Sequence, residues 1–439
     1  MRLQGDPLLP YTNGAVDLTK PPVYAWLAAA SFRAFGESEA AARLPSVLAT
    51  LGSLALAFAV GRRVAGTRAG WLAAFACLTQ ARFLWQARLA EIESVLLLAV
   101  AAAYAALLRL LETPPGRERG WAGAAFFVAV AAGLATKGPV VFLLTVPAAV
   151  AAALATGRGR VLLSRAFLLA APLSLLGLSW YVAAVLRDRS SLDTFLSYAR
   201  GENVGHLRDA LYYLWQWPLN ALPWTPFAVA GLALAAKDRL APAPRRLVRA
   251  LAAVFGATFL TMTVVPAKQT HYLMPVFWTG GVLAGVALDR LLAGATLRAR
   301  RAAAAAAVAL VAVLLFGVGW AVPAQDDRRS ARDFFETVGI VTDDGPLAWT
   351  VFASHSDYLW YLGAERVGRT GVPELVGATP EGTIENVRAW LARPGPRYAV
   401  VTGPQADALG SAARVLLRDD RVGSKRRSYA LVTATRGAP

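Results

Sequence analysis

Ten apolar runs follow one another along residues 43–322, separated by loops most of which are short. They fall at about 43–60, 69–85, 91–111, 121–136, 139–155, 166–186, 211–235, 248–265, 272–293 and 302–322. A helix of about 17–25 apolar residues matches the hydrocarbon core of a bilayer. Backbone amides inside that core find no water, so a chain built of such runs is confined to helices or a closed barrel. The expected fold class is a polytopic α-helical membrane protein, in keeping with 56% hydrophobic residues and a mean hydropathy of +0.45.

The charges give these spans a direction. A formal net charge of +17 would suggest a nucleic-acid partner in a soluble chain. Here much of the arginine sits in alternate loops between apolar runs. Arg62, Arg63 and Arg68 fill the first, Arg117 and Arg119 the third, and Arg158, Arg160 and Arg165 the fifth. Lys237, Arg239, Arg245, Arg246 and Arg249 fill the seventh, and Arg290, Arg298, Arg300 and Arg301 the ninth. The positive-inside rule makes these loops cytoplasmic, so no nucleic acid is expected. The other loops, with Arg88, Lys137, the 187–210 segment and Lys268, then face outward, as do residues 1–42 and everything after Pro323.

Within residues 1–42, Pro21 and Pro22 open a short amphipathic stretch, Val23 to Phe35, expected to lie at the interface with Trp26 as an anchor. No signal peptide is visible ahead of it. Ten spans would leave this N-terminal part outside with nothing to export it, so a further span is expected upstream in a longer chain. From Asp326 the composition turns soluble. Leu347–Phe352, Tyr398–Thr402 and Ser428–Thr435 are β-rich, and 330–338, 382–392 and 404–417 carry helical patterns. The expected organisation is an outer loop with an interfacial helix over 1–42, a transmembrane domain of about ten helices over 43–323, and a small extracytoplasmic α/β domain over 324–439.

Chemistry is expected at the outward loops. Only five of the forty-five basic residues are lysine, and three of these stand at the outer ends of hydrophobic segments. They are Lys20 in Lys20-Pro21-Pro22, Lys137 in Thr136-Lys137-Gly138-Pro139, and Lys268 in Lys268-Gln269-Thr270-His271-Tyr272. An ammonium is a compact point charge suited to phosphate, so the three are candidates to hold a phosphate-bearing lipid. A lone Lys137 in a tight turn also fits simple snorkelling. Lys268 and Tyr272, four apart, would share a helical face and offer a charge and a hydroxyl to one anion. His271 between them reads as a polar interfacial residue rather than a metal ligand.

Arg88, Glu91 and Glu93 decorate the mouth of one span, where ionisable groups are costly and usually functional. Arg88 and Glu91 have the i,i+3 spacing of an interfacial pair, whereas Glu93 lacks an obvious local partner. The 187–210 loop adds Arg200 as a phosphate partner and Glu202 as an acid, alongside the plainer reading of a solvated surface. Tyr212, Tyr213, Trp215, Trp217 and Trp224 read mostly as interface belt. Tyr358, Trp360 and Tyr361 read as core of the soluble domain. Three histidines (His206, His271, His355) stand in no zinc-ligand spacing, and the single cysteine, Cys77, excludes an internal disulfide.

The ordered set Pro10-Tyr11-Thr12-Asn13-Gly14, Lys20-Pro21-Pro22, Ala41-Ala42-Arg43-Leu44-Pro45, Arg62-Arg63, Arg88-Leu89-Ala90, Thr136-Lys137-Gly138-Pro139, Trp180-Tyr181, Leu222-Pro223-Trp224 and Lys268 to Pro275 resembles one family. It is that of the membrane-embedded C-type glycosyltransferases using polyprenyl-phosphate sugars, in its aminoarabinose-transferase-like and protein-mannosyltransferase-like branches. The resemblance implies the C-type fold and an enzyme of the bacterial inner membrane. It implies sugar transfer from a polyprenyl-phosphate donor to a lipid, glycan or protein acceptor on the outer side. Lys20, Lys137, Arg200, Lys268 and Tyr272 are then donor-phosphate candidates and Glu93 the catalytic candidate, with Arg88, Glu91 and Glu202 in support. The family also implies an Asp base in the first outer loop, and Met1 to Asp6 resembles the point just after it, so that base is expected upstream. Thr19 stands where many relatives carry Glu, which speaks against a divalent metal at that loop, although a metal stays open as a cofactor. Glu93 stands where many carry Asp. A transporter or flippase for an anionic lipid is the alternative reading, with a non-catalytic membrane scaffold as a third.

Overall fold

The computed structural model describes residues 6–12, 15–199, 211–236, 241–325, 332–343, 345–350, 362, 372–377, 379–420 and 428–435. The chain divides into two compact units, Leu18–Val311 on one hand and Met1–Asp17 with Ala312–Pro439 on the other.

The larger unit is helical throughout. It starts with α1 (Val23–Phe35), the expected interfacial stretch, and α2 (Glu39–Ala65), whose Ser38 side chain caps the Ala41 amide. Then come α3 (Thr67–Leu78), α4 (Ala81–Ala87), α5 (Ile92–Glu112), α6 (Arg117–Lys137) and α7 (Val140–Ala155). One span is assembled from α8 (Arg165–Ala170), a 3-10 stretch at Ala171–Leu178 and α9 (Ser179–Arg187). After α10 (Ser190–Ala199) follow α11 (Tyr212–Asn220), α12 (Thr225–Ala236), α13 (Pro242–Val264), a 3-10 turn at Thr270–Leu273, α14 (Met274–Ala293) and α15 (Leu297–Phe316), whose last residues belong to the other unit.

Among the described residues, seven helices are long and apolar enough to cross a membrane, or eight if the α11–α12 pair, bent by 110°, counts as one. All ten apolar runs are helical, yet they are not ten uniform rods. The run at 69–85 breaks at Thr79–Gln80 into α3 and α4, and the run at 139–155 is the shorter α7. Exposed side chains such as Leu186, Val308 and Leu315 make sense against lipid, where no apolar penalty applies. The chain is a multi-pass membrane protein.

Arginines of the basic loops close helix ends. Arg63 pairs with Glu112, Arg68 with Asp289 at 2.6 Å, and Arg119 donates to the Thr113 carbonyl. Arg249 and Arg300 likewise donate to the carbonyls of Ala235 and Leu292. Such groups would otherwise be left open at helix C-termini. The aromatic group expected at the interface is largely core instead. Tyr212, Tyr213, Trp217 and Trp224 are buried, Trp224 donates to Thr79 Oγ1 at 2.8 Å, and Trp215 alone of the five is exposed.

The smaller unit contains the hairpin β1 (Tyr11–Thr12) and β2 (Ala15–Val16) and a four-stranded sheet. Its strands are β3 (Leu347–Trp349), β4 (Tyr398–Thr402), β5 (Ala413–Asp419) and β6 (Tyr429–Ala434), in the order β3-β4-β6-β5. The two-residue period of a strand sorts its side chains onto two faces. Leu347, Trp349, Val400, Tyr429 and Leu431 pack with Phe334, Phe335 and Val338 of α16 (Arg332–Thr342). Ala348, Ala399, Val401, Ala430 and Val432 pack with α17 (Pro380–Leu391) and α18 (Gly403–Leu409). The helix expected over 404–417 is corrected to α18 followed by β5. Gly410 ends the helix, and β5 pairs antiparallel with β6 through a bulge between Val415 and Leu417, which blurs its alternation. Tyr358, Trp360 and Tyr361 lie outside the described residues.

Candidate active site

The site begins with two helices of equal length. α5 and α6 have 21 residues each and are joined by residues 113–116, so they run antiparallel and their far ends meet. Glu93 lies in the first turn of α5 and Lys137 at the last position of α6. Each is favoured there by its own helix dipole, a carboxylate at an N-terminus and an ammonium at a C-terminus. Across the hairpin, Lys137 Nζ donates to both Glu93 oxygens, at 2.6 and 2.7 Å, with both side chains about nine-tenths buried. The turn that ends α6 needs Gly138. Its φ is +81°, and a Cβ there would lie 2.5 Å from the Tyr181 hydroxyl.

The turn before α14 supplies the next groups. Tyr213 Oη donates to the Gln269 carbonyl and Tyr212 Oη is 2.9 Å from Thr270 Oγ1, so α11 holds this turn in place. Lys137 Nζ stands 4.4 Å from the centre of the Tyr272 ring, a cation–π contact. His271 Nε2 is 3.4 Å from Glu93 Oε1, and its Nδ1 is 3.2 Å from Arg82 Nη2 of α4. Arg82 also donates to Gln86 Oε1, and Gln86 donates to Glu91 Oε2 at 2.6 Å.

Lys20, Glu93, Lys137, His271 and Tyr272 line one cavity of about 230 Å³, walled on its apolar side by Leu97, Leu144 and Met262. Four of the expected site residues, Lys20, Glu93, Lys137 and Tyr272, therefore share one space. Lys268 does not join them. It is buried, and its ammonium donates to the Val265 carbonyl at 2.7 Å. The shared-face expectation required a helix through 268–272, but the 3-10 turn starts only at Thr270. Glu91 takes its hydrogen bond from Gln86 rather than from Arg88, because residues 88–91 are not helical. Neither Arg88 nor Glu91 lines the cavity. Arg200 and Glu202 lie outside the described residues, as do His206, His355 and Lys237.

Sequence reasoning missed Arg82. The signal was present, since an arginine inside the 69–85 run is an ionisable group at membrane depth. Among the described residues, no three His, Cys, Asp or Glu side chains are grouped to hold a metal ion. The cavity's own donors are one carboxylate already on an ammonium and one imidazole, a poor set for a divalent cation.

Residues 19–182 match the family model described as dolichyl-phosphate-mannose-protein mannosyltransferase. A curated relative, the undecaprenyl phosphate-alpha-4-amino-4-deoxy-L-arabinose arabinosyl transferase of Pseudomonas aeruginosa (strain LESB58), is 27% identical over 301 residues. That alignment takes in 66% of this chain and 53% of the relative, so the chain spans about half the length of the curated relative it matches. Crystal structures of ArnT from Cupriavidus metallidurans superpose with a TM-score of 0.74, both bound to undecaprenyl phosphate and in the apo state. The bound form is 18% identical and the match covers 99% of this chain and 92% of that one. For the apo form the figures are 19%, 97% and 90%. Likeness at such identity carries the fold. The similarity to C-type aminoarabinose- and mannosyltransferases, expected from the ordered motifs, holds in all three comparisons.

Proposed function

We propose that this chain, a membrane protein of C-type glycosyltransferase fold akin to aminoarabinose- and mannosyl-transferring enzymes, is itself a sugar transferase of the inner membrane. Its donor is a polyprenyl-phosphate sugar, and its acceptor a lipid, glycan or protein hydroxyl on the outer side. The observation that carries this reading is the shared cavity of Lys20, Lys137, Glu93 and Tyr272. Two ammonium groups, those of Lys20 and Lys137, line it beside the Glu93 carboxylate.

In the proposed reaction the anomeric carbon–oxygen bond to phosphate breaks and its electron pair leaves on the phosphate oxygen. The acceptor oxygen bonds to that carbon and gives up its proton to a carboxylate. Lys20 and Lys137, which both line the cavity, stabilise the charge growing on the phosphate. Tyr272 supports Lys137 through its ring and offers its hydroxyl, and Arg200 is assigned to the same anion. Lys268 is assigned a positioning role, tying its own stretch back to the Val265 carbonyl at the end of α13. Glu93 is the carboxylate facing the cavity. With Lys137 donating to both of its oxygens, it also orients that ammonium. Arg88 and Glu91, which do not line the cavity, are assigned supporting roles, as is Glu202.

Binding of undecaprenyl phosphate to the purified protein tests the site. Lys20→Ala should weaken it by roughly ten- to a hundredfold, about 1.5–3 kcal/mol for a hydrogen bond to a charged group. Unchanged affinity in that variant would remove the phosphate assignment.

A further inference from the structure

Arg82 does not line the cavity, but it contacts His271, which does. We propose that Arg82 is a positioning residue that locks His271 neutral with its Nε2–H turned toward Glu93, so that Glu93 stays on Lys137 when the donor phosphate arrives. The inference rests on the proposed function for its purpose and on three geometric facts for its content.

A guanidinium has only N–H donors. Arg82 Nη2 lies 3.2 Å from His271 Nδ1, so that nitrogen must accept, and a ring accepting at Nδ1 carries its proton at Nε2. Nε2 is the atom that faces Glu93 Oε1 at 3.4 Å. The ring is therefore neutral and oriented by a group on its far side. A protonated His271 would carry an N–H donor at both nitrogens and would turn one of them against the donors of Arg82. It would also compete with Lys137 for the same carboxylate.

The surroundings are consistent. The charged and titratable groups facing His271 are Arg82 of α4, Glu93 of α5, Lys137 of α6 and the Tyr272 ring, which meets it edge-on at 4.9 Å. Lys20 lines the same cavity, and Tyr212 and Glu91 act electrostatically on Arg82. With Arg82 on one side and Lys137 on the other, a charge on His271 would stand between two cations. Arg82 is itself anchored by Gln86, while its buried Nε has no hydrogen-bond partner among the described residues. That is a cost a purely structural arginine would have reason to avoid.

The chain has only three histidines, so nitrogen-15 labelling of histidine in the full protein in bilayers gives three rings to assign, with His271→Gln identifying the one in question. In the donor-free protein near pH 7, His271 should show a bare Nδ1 and a protonated Nε2. Arg82→Met should turn it into a mixed or protonated ring, and Arg82→Lys, which keeps a donor and a charge, should restore the original state. Sugar transfer by the native protein should be flat across the ordinary imidazole range. The Arg82→Met variant should acquire a pH dependence there, with kcat falling rather than donor KM rising. A native ring protonated at Nδ1, or a ring unchanged in Arg82→Met, would overturn the lock. Should Arg82→Met not fold, Arg82→Gln, which drops the charge, takes its place, and the native ring state alone still decides. Failure of undecaprenyl phosphate to bind, with the ring state as expected, would instead strike the proposed function.

Discussion

Glu93 and Lys137 are a buried ion pair, and such pairs cost more to break than they contribute over an apolar replacement. Lys137→Met should therefore destabilise the protein by about 3–5 kcal/mol, because it strands the Glu93 charge. The double variant Glu93→Leu, Lys137→Met should recover much of that loss in denaturant unfolding of the detergent-solubilised protein, and a double variant no more stable than the single would contradict the pairing. Each residue was legible as a candidate from its place at a helix end. Their partnership was not, since 44 residues separate them and only the equal lengths of α5 and α6 bring them together. Lys268 shows the converse, where four-residue spacing implies a common face only inside a helix, and its stretch is a turn.

Elements pack here by close approach of small residues. Gly281 and Gly285 stand one α14 turn apart, and a Cβ would meet Cys77 Sγ at 2.5 Å in the first case and the Ala73 amide nitrogen at 2.3 Å in the second. This is the small-residue spacing that lets membrane helices touch backbone to backbone. Gly285→Val should force α14 from α3 and lower stability by about 1–3 kcal/mol, read as a lower melting temperature, while Gly294→Ala, where a Cβ meets open space, should leave it unchanged. Hydropathy made the helical runs legible because it is a sum over many residues. The break at Thr79–Gln80 and the bend between α11 and α12 were not, because each depends on partners elsewhere, as with Trp224 on Thr79. In the C-terminal sheet, strands buried on both faces are legible as apolar runs, whereas the largely exposed β5 carries a pattern that also fits a helix.

For the whole molecule, the basic loops predict an orientation. Alkaline phosphatase fused after residue 330 should be active, placing the C-terminal unit outside, and an inactive fusion would reverse the assignment. That orientation puts the Lys20–Lys137–Glu93 cavity on the side where a sugar already carried across the bilayer would be used. The central claim is that this cavity breaks a bond rather than passing a lipid. Its most direct measure is transfer of radiolabelled sugar from an undecaprenyl-phosphate donor in membranes containing the native protein or Lys20→Ala. The native protein should move label from the donor lipid into acceptor, releasing undecaprenyl phosphate, and Lys20→Ala should need roughly ten- to a hundredfold more donor for the same rate. Label that crosses the bilayer still attached to its lipid, with transfer absent in both proteins, would contradict the account.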